Sequence, residues 1–202
     1  MEEAFLEGSK TGSIRSQELG KKTMQAIILD EMLRIDAPRA MVTMKAWSEF
    51  LHYAAGRQHR EHFKSLEEYI PYRIHDIGKW FWYGLLTFGM AISIPQTELD
   101  VWNDRLMHPA WIVLGLQNDI YSWPKERDDA KVHGGDYVVN GVWVLMCEQG
   151  ISENEALESL RAETKKYVAK YVQTVNDYRY NEGLSAGFRK YMEAMMYTIR
   201  TR

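Results

Sequence analysis

The feature that most constrains this fold is an apolar segment that runs directly into a polar one. Residues 111–116 read Trp-Ile-Val-Leu-Gly-Leu, and residues 118–126 read Asn-Asp-Ile-Tyr-Ser-Trp-Pro-Lys-Glu. Pro109 lies just upstream, where proline favours the first turn of a helix. The pattern predicts one long helix that begins in the protein core and ends at a polar site.

The polar half of this helix predicts a metal site. Asn118, Ser122 and Glu126 are spaced four residues apart, so in a helix each lies only about 40° round from the one before and all three share a face. Amide, hydroxyl and carboxylate oxygens suit Mg²⁺, which usually also bridges to substrate phosphates. Lys125 adds an ammonium that a diphosphate could use. The alternative is a solvated polar helix end.

The other segments also predict helices. Apolar residues recur at helical spacing along most of the chain, and no useful stretch alternates with period two, so we predict an all-α fold. The expected segments are 16–35, 38–63, 65–78, 80–94, 97–102, 109–126, 138–149, 152–180 and 185–200.

Local signals set the expected ends of these helices. Asp36 and Pro38 should restart the first helix, and Ser65 with Glu68 has the capping-box pattern. Pro95 should end a buried helix. The polar stretch 127–137 is expected to form a loop that could act as a lid. In the first segment the apolar residues that recur at helical spacing are Met24, Ile27, Ile28, Met32 and Ile35.

Composition excludes several classes of protein. The 202 residues carry 25 Lys+Arg and 28 Asp+Glu, a net charge of −3, with no basic stripe for nucleic acid. Residues 80–94 are too short to span a bilayer. The first residues show no pattern of a signal peptide, so none is expected, and Cys147 is expected to be a buried, inert thiol in a cytoplasmic protein. With no linker, 1–202 is expected to be one domain.

A second candidate site residue is Arg73. A guanidinium can bind two diphosphate oxygens at once, and Asp76, three residues on, could hold it in place. Gly78 should break the helix just after this pair. Taken alone, Arg73 and Asp76 could equally be a surface ion pair.

Together, the two stretches resemble class I terpene synthases, most closely the cyclase domain of fungal chimeric cyclase/prenyltransferase enzymes. The resemblance rests on N-D-x-x-S-x-x-K-E at 118–126 and on Arg73 with Asp76. It implies the class I terpenoid-synthase helical bundle and a Mg²⁺ site at Asn118, Ser122 and Glu126. It also implies that Arg73 senses the diphosphate, that Asp76 links it to the helix break at Ile77–Gly78, and that Lys125 assists. Phe81, Phe88 and Trp111 are the candidate lining of a prenyl pocket.

The sequence departs from that family in two respects. The Asp-rich motif D-D-x-x-D/E is absent, since Asp30-Glu31 leads to Arg34 and Asp128-Asp129 leads to Val132. The C-terminal Arg-Tyr pair should follow the last helix, whereas 179–180 comes one helix too early. We therefore expect a bundle incomplete at both ends, the C-terminal part of a cyclase domain.

The implied reaction is Mg²⁺-dependent ionisation and cyclisation of a prenyl diphosphate to a terpene hydrocarbon, with a C20 substrate favoured by the comparison with chimeric enzymes. An alternative is a truncated, non-catalytic cyclase-like helical protein, monomeric or homodimeric, that binds diphosphate weakly. A prenyl-chain-elongating synthase is disfavoured, because such enzymes use two Asp-rich motifs.

Overall fold

The computed structural model describes residues 21–55, 62–135 and 137–199, and within them all regular structure is α-helical. This confirms the predicted all-α fold. None of these helices combines the length and the apolar character that crossing a membrane requires. The helices are α1 (Lys21–Ala55), α2 (Leu66–Asp76), α3 (Lys79–Gly89), α4 (Gln96–Leu106), α5 (His108–Val132), α6 (Gly141–Gln149), α7 (Glu153–Tyr178) and α8 (Ala186–Thr198).

The helices divide into two compact units. The first unit contains α1 and α3, and its second segment is 78–94, which follows α2 in the sequence. The second unit contains α2 and α4 to α8. The single domain predicted over 1–202 therefore stays a prediction, and each unit is described by itself below.

Helix α1 consists of two helices joined at Asp36. This residue has φ −156° and ψ 87°, outside the helical region. Its carboxylate Oδ1 accepts a hydrogen bond from the backbone N–H of Arg39 at 3.2 Å, as an N-cap does. The restart predicted at Asp36 is thus present in the structure.

The apolar residues whose spacing predicted a helix at the start of α1 are mostly exposed. Met24, Ile27, Ile28 and Ile35 are exposed, while Leu29 is buried. A helical spacing of apolar residues is compatible with more than one face, and only tertiary packing selects the buried one. The predicted residues 16–20 lie outside the described part of the chain.

The first unit is held together where α1 crosses α3 at Gly84. The Thr43 hydroxyl donates to the Gly84 carbonyl at 2.8 Å. A Cβ on Gly84 would lie 2.8 Å from the Thr43 Cα, so the missing side chain permits this close approach. At Gly89 an added Cβ would meet nothing within 4 Å.

Replacing Gly84 with alanine is therefore expected to destabilise the protein by about 1–3 kcal/mol, because backbone atoms of α1 cannot move aside cheaply. Gly89→Ala is the matched control and should be neutral or stabilising by up to about 1 kcal/mol, since alanine favours the helix and meets open space. Urea denaturation of both variants measures the difference. Equal effects would contradict the close crossing.

Helix α5 is the central element of the second unit. All residues from Pro109 to Leu116 are buried, as predicted from their apolar character. Within this unit α5 packs against α7, α2, α6, α4 and α8. The long helix that carries the polar motif is therefore anchored in the core at its first half.

The capping signals at two helix starts are confirmed. At α2, Ser65 Oγ accepts from the Glu68 N–H at 3.2 Å, while the Glu68 carboxylate accepts from the N–H of Lys64. At α7, Ser152 and Glu155 form the reciprocal capping box. These starts depend on neighbours in sequence, which is why local patterns find them.

Two predicted helix ends are wrong. Helix α3 ends at Gly89, with Met90 as its C-cap, well before Pro95. Helix α5 continues to Val132 through most of the predicted loop. Arg127 Nη1 pairs with Glu153 Oε1 at 2.7 Å, which ties this polar extension of α5 to the start of α7.

The predicted burial of Cys147 is also wrong, because its thiol is exposed. Helix α6 buries Val142, Val144 and Leu145 on one side. Cys147 lies on the exposed side of α6, although it belongs to the same apolar run in the sequence.

Candidate diphosphate and metal site

The structure brings Arg73 of α2 against the polar motif of α5. Arg73 Nη2 donates to Asn118 Oδ1 at 2.5 Å, and Nε donates to Asp119 Oδ1 at 2.8 Å. Nη1 forms an ion pair with Asp76. The Arg73 side chain is 9% exposed. Arg73, Asp76 and Asn118, all predicted from sequence as site residues, therefore form one connected group, while their roles stay predictions.

The close approach of Arg73 to α5 depends on Gly115. A Cβ added there would lie 2.8 Å from Arg73 Cγ. The aliphatic part of Arg73 thus lies against bare backbone one turn before Asn118. A larger residue at 115 would displace the side chain that reaches the motif.

Asp119 is the main site residue that the sequence reasoning missed. Its side chain is 1% exposed, and its second oxygen, Oδ2, accepts from the Tyr69 hydroxyl at 2.9 Å and from the Gly141 N–H at 3.0 Å. A signal was available: Asp119 lies about 100° round the helix from Asn118. A carboxylate on the buried face of a helix must have polar partners in the protein interior.

Burial dominates the electrostatics of this group. It raises the pKa of Asp119 to about 6, against the opposing effects of the Arg73 charge and the Gly141 N–H. Burial by itself lowers the pKa of Arg73, but Asp119, Tyr69 and Glu126 together outweigh it and the net direction is upward. At neutral pH the pair is therefore ionised, and the guanidinium keeps its charge in a largely dry setting.

The three predicted metal ligands lie along one face of α5. Ser122 Oγ is buried and has no hydrogen-bond partner among the residues that the structure describes. Glu126 is half-buried and its Oε2 accepts from Asn140 Nδ2 at 2.9 Å, while Asn118 is exposed. A buried hydroxyl without a partner, beside an amide and a carboxylate oxygen, fits a hard divalent cation.

This oxygen set is poor in carboxylates. Over residues 21–55, 62–135 and 137–199, no group of three or more His, Cys, Asp or Glu residues is arranged to hold a metal ion. The candidate set contains one carboxylate, from Glu126, and its other donors are an amide and a hydroxyl. It therefore suits a cation whose remaining ligands come from water and substrate phosphate.

The other predicted site residues lie in different settings. Lys125 is exposed and lies about 20° from Asn118 around α5, so its ammonium is on the same side as the metal set. Trp111 is 1% exposed and borders a narrow cleft together with Arg73. Phe81 and Phe88 lie on α3 in the first unit, where Phe81 packs on Trp47 with ring centroids 4.1 Å apart. The pocket role of the three aromatic residues stays a prediction.

Comparison with known families identifies the family of this chain. Residues 19–170 match the family model described as terpene synthase family 2, C-terminal metal binding. The match covers well over half of the chain, so the protein belongs to this family of terpene synthases. The resemblance to class I terpene synthases inferred from the motifs is confirmed.

Individual relatives are fungal. The chain is 45% identical over 201 residues to fusicoccadiene synthase of Phomopsis amygdali. That alignment covers 96% of this chain and 28% of the relative. The chain is 42% identical over 196 residues to a bifunctional type I diterpene synthase of Aspergillus flavipes, covering 97% of this chain and 26% of the relative. The chain thus spans less than a third of the length of these relatives.

A solved structure shows the same fold. The crystal structure of aristolochene synthase from Penicillium roqueforti aligns with a TM-score of 0.77 at 20% identity, covering 97% of this chain and 68% of that one. At this identity the likeness concerns the fold alone. It confirms the predicted class I terpenoid-synthase architecture.

Proposed function

We propose that this chain carries the metal- and diphosphate-binding half of a terpene cyclase site, a carbon–oxygen lyase that ionises and cyclises a prenyl diphosphate with Mg²⁺. The observation that carries the proposal is the contact between Arg73 Nη2 and Asn118 Oδ1 at 2.5 Å. A guanidinium next to candidate oxygen ligands supports the proposal, because a metal-bound diphosphate requires both.

Arg73 would bind the diphosphate in a fixed orientation. A guanidinium has five N–H donors, and three of them are used by Asp119, Asp76 and Asn118. The donors that remain on the two Nη atoms can bind phosphate oxygens. Because the three contacts hold the side chain in place, little conformational entropy is lost on binding.

The remaining site residues would stabilise the leaving group. Asn118, Ser122 and Glu126 would hold Mg²⁺, which supplies charge that favours departure of the diphosphate. The Lys125 ammonium and the Arg73 guanidinium would stabilise the negative charge that develops on it. The aromatic face of Trp111, which belongs to the same unit as the metal set, would stabilise the carbocation and exclude water.

We propose a C20 substrate. One relative is named as a diterpene synthase, and a diterpene has a C20 skeleton. The test is incubation of the protein with C10, C15, C20 and C25 prenyl diphosphates and Mg²⁺, with analysis of the hydrocarbons formed. A cyclic hydrocarbon from the C20 substrate is the expected product, and conversion of another chain length alone would overturn the C20 assignment.

Calorimetric titration with pyrophosphate, with and without Mg²⁺, accompanies the turnover assay. Mg²⁺-dependent binding with turnover supports the cyclase. Binding without turnover supports the second candidate, a cyclase-like helical protein that binds diphosphate weakly. Absence of both would overturn the proposed site.

Ser122→Ala is expected to weaken Mg²⁺-dependent pyrophosphate binding about 10-fold, or about 1.4 kcal/mol, without loss of stability. The reason is that the buried Ser122 hydroxyl has no partner within the described residues, so its removal leaves no broken bond behind. Ser152→Ala is the matched control, because Ser152 caps α7. It should lose about 1 kcal/mol of stability and keep full affinity. Titration and urea denaturation of both variants check this opposite pattern.

A further inference from the structure

We propose that Asn140 is a positioning residue for Glu126, holding the carboxylate so that its other oxygen faces a bound cation. This inference rests on the proposed function, since Glu126 is assigned there as a metal ligand. Asn140 immediately precedes α6, and nothing in its local sequence marks it as part of the site.

Asn140 uses every polar atom of its side chain. It is 0% exposed. Its Nδ2 donates to Glu126 Oε2 at 2.9 Å and to the Asp119 carbonyl at 3.0 Å. Its Oδ1 accepts from the N–H of Val142 at 2.8 Å. One buried amide therefore joins the start of α6 to two points of α5.

These partners fix the orientation of the amide. Val142 presents a donor, whereas Asp119 and Glu126 present acceptors. The reversed orientation would place the amide oxygen against two acceptors and the NH₂ group against an N–H. Such an arrangement would lose all three bonds.

Capping of α6 does not account for this arrangement. An N-cap needs one acceptor, and a serine hydroxyl supplies it at α2, α7 and α8, where Ser65, Ser152 and Ser185 accept from the first turn. At α6 the cap is an asparagine whose two donors reach residues far away in sequence. Those donors hold α5.

The bond to Glu126 Oε2 leaves the other carboxylate oxygen for a cation. Groups that hold a metal ligand in this way orient it and set its basicity. The neighbouring Gly141 N–H binds Asp119 Oδ2 at 3.0 Å. Residues 140–141 thus hold both acidic side chains of the motif, the one that orients Arg73 and the one assigned to the metal.

The first test is Asn140→Ser. Serine keeps an oxygen that can cap α6 but lacks the amide donors. We expect Mg²⁺-dependent pyrophosphate binding to weaken about 10-fold, as for other groups that support metal ligands. The matched control is Ser185→Ala, which removes the cap of α8 and should leave the affinity unchanged. Equal affinities of Asn140→Ser and wild type would overturn the proposal.

A double-mutant cycle separates positioning from general stability. In a Glu126→Ala background, Asn140→Ser should weaken binding no further, because it acts through Glu126. If the two effects on affinity multiply, Asn140 acts elsewhere and the proposal is overturned.

The same four proteins are compared by urea denaturation without metal. We expect their effects on the unfolding equilibrium constant to fall short of multiplicative by a factor of about 3 or more, as for residues in direct contact. Multiplicative effects would overturn the contact between Asn140 and Glu126. This arm remains decisive even if wild type fails to bind pyrophosphate, an outcome that would instead reject the proposed function.

Discussion

Replacing Arg73 with methionine is expected to lower the free energy of unfolding by about 3–5 kcal/mol, because it leaves a buried carboxylate without its cation. The side chains of Arg73 and Asp119 are 9% and 1% exposed, with Nε and Oδ1 2.8 Å apart. Methionine keeps most of the aliphatic length, so the loss reports the charge. Urea denaturation near neutral pH measures it, and Mg²⁺-dependent pyrophosphate binding should be lost in the same variant.

The control is another ion-paired arginine at the surface. Arg179 pairs with Glu193 at 3.4 Å, and their side chains are 38% and 47% exposed. Arg179→Met should cost at most about 1 kcal/mol. If both substitutions cost the same, the buried pair between α2 and α5 is not as the structure shows it.

Asp119→Asn should be nearly as damaging as the loss of Arg73, by about 3–5 kcal/mol. The carboxylate accepts on both oxygens, from Arg73 on Oδ1 and from Tyr69 and Gly141 on Oδ2. An amide offers one acceptor oxygen and one NH₂ group. Whichever way it turns, a donor faces a donor, and the compensating negative charge is gone.

Asp177→Asn provides the comparison for this second substitution. Asp177 is exposed and accepts one hydrogen bond, from Gln173. Its replacement should change stability by no more than about 0.5 kcal/mol. A loss for Asp119→Asn within that range would show that the buried carboxylate is not essential to the packing of α2 and α6 on α5.

The helices were predictable because their signals are local. Repeated apolar spacing, the caps at Ser65 and Ser152, and the restart at Asp36 each depend on residues within one or two turns. The ends of α3 and α5 were not predictable in this way. Helix α3 stops at Gly89 although the residues up to Pro95 are mostly apolar, and α5 continues through a polar stretch to Val132, so polarity alone does not decide where a helix ends. The polar end of α5 is held by Arg127 bonding to Glu153, a contact between two helices that no short window of sequence contains.

Burial was less predictable than helix content. The early apolar positions of α1 and the thiol at Cys147 face outward, because the partner surfaces of a helix are chosen by the fold. The same limit hid Asp119 and Asn140. Their importance comes from bonds that bridge α5 to α2 and α6, whereas the motif spacing described only one face of one helix.

Gly115 determines how closely the Arg73 side chain approaches α5. A Cβ at position 115 would lie 2.8 Å from Arg73 Cγ. The distance between the guanidinium and the backbone of α5 therefore depends on the absence of a side chain at this position. In a family member with a larger residue at position 115, the cationic side chain at position 73 would have to be shorter or tilted to reach the amide at position 118. Positions 73 and 115 should therefore vary together.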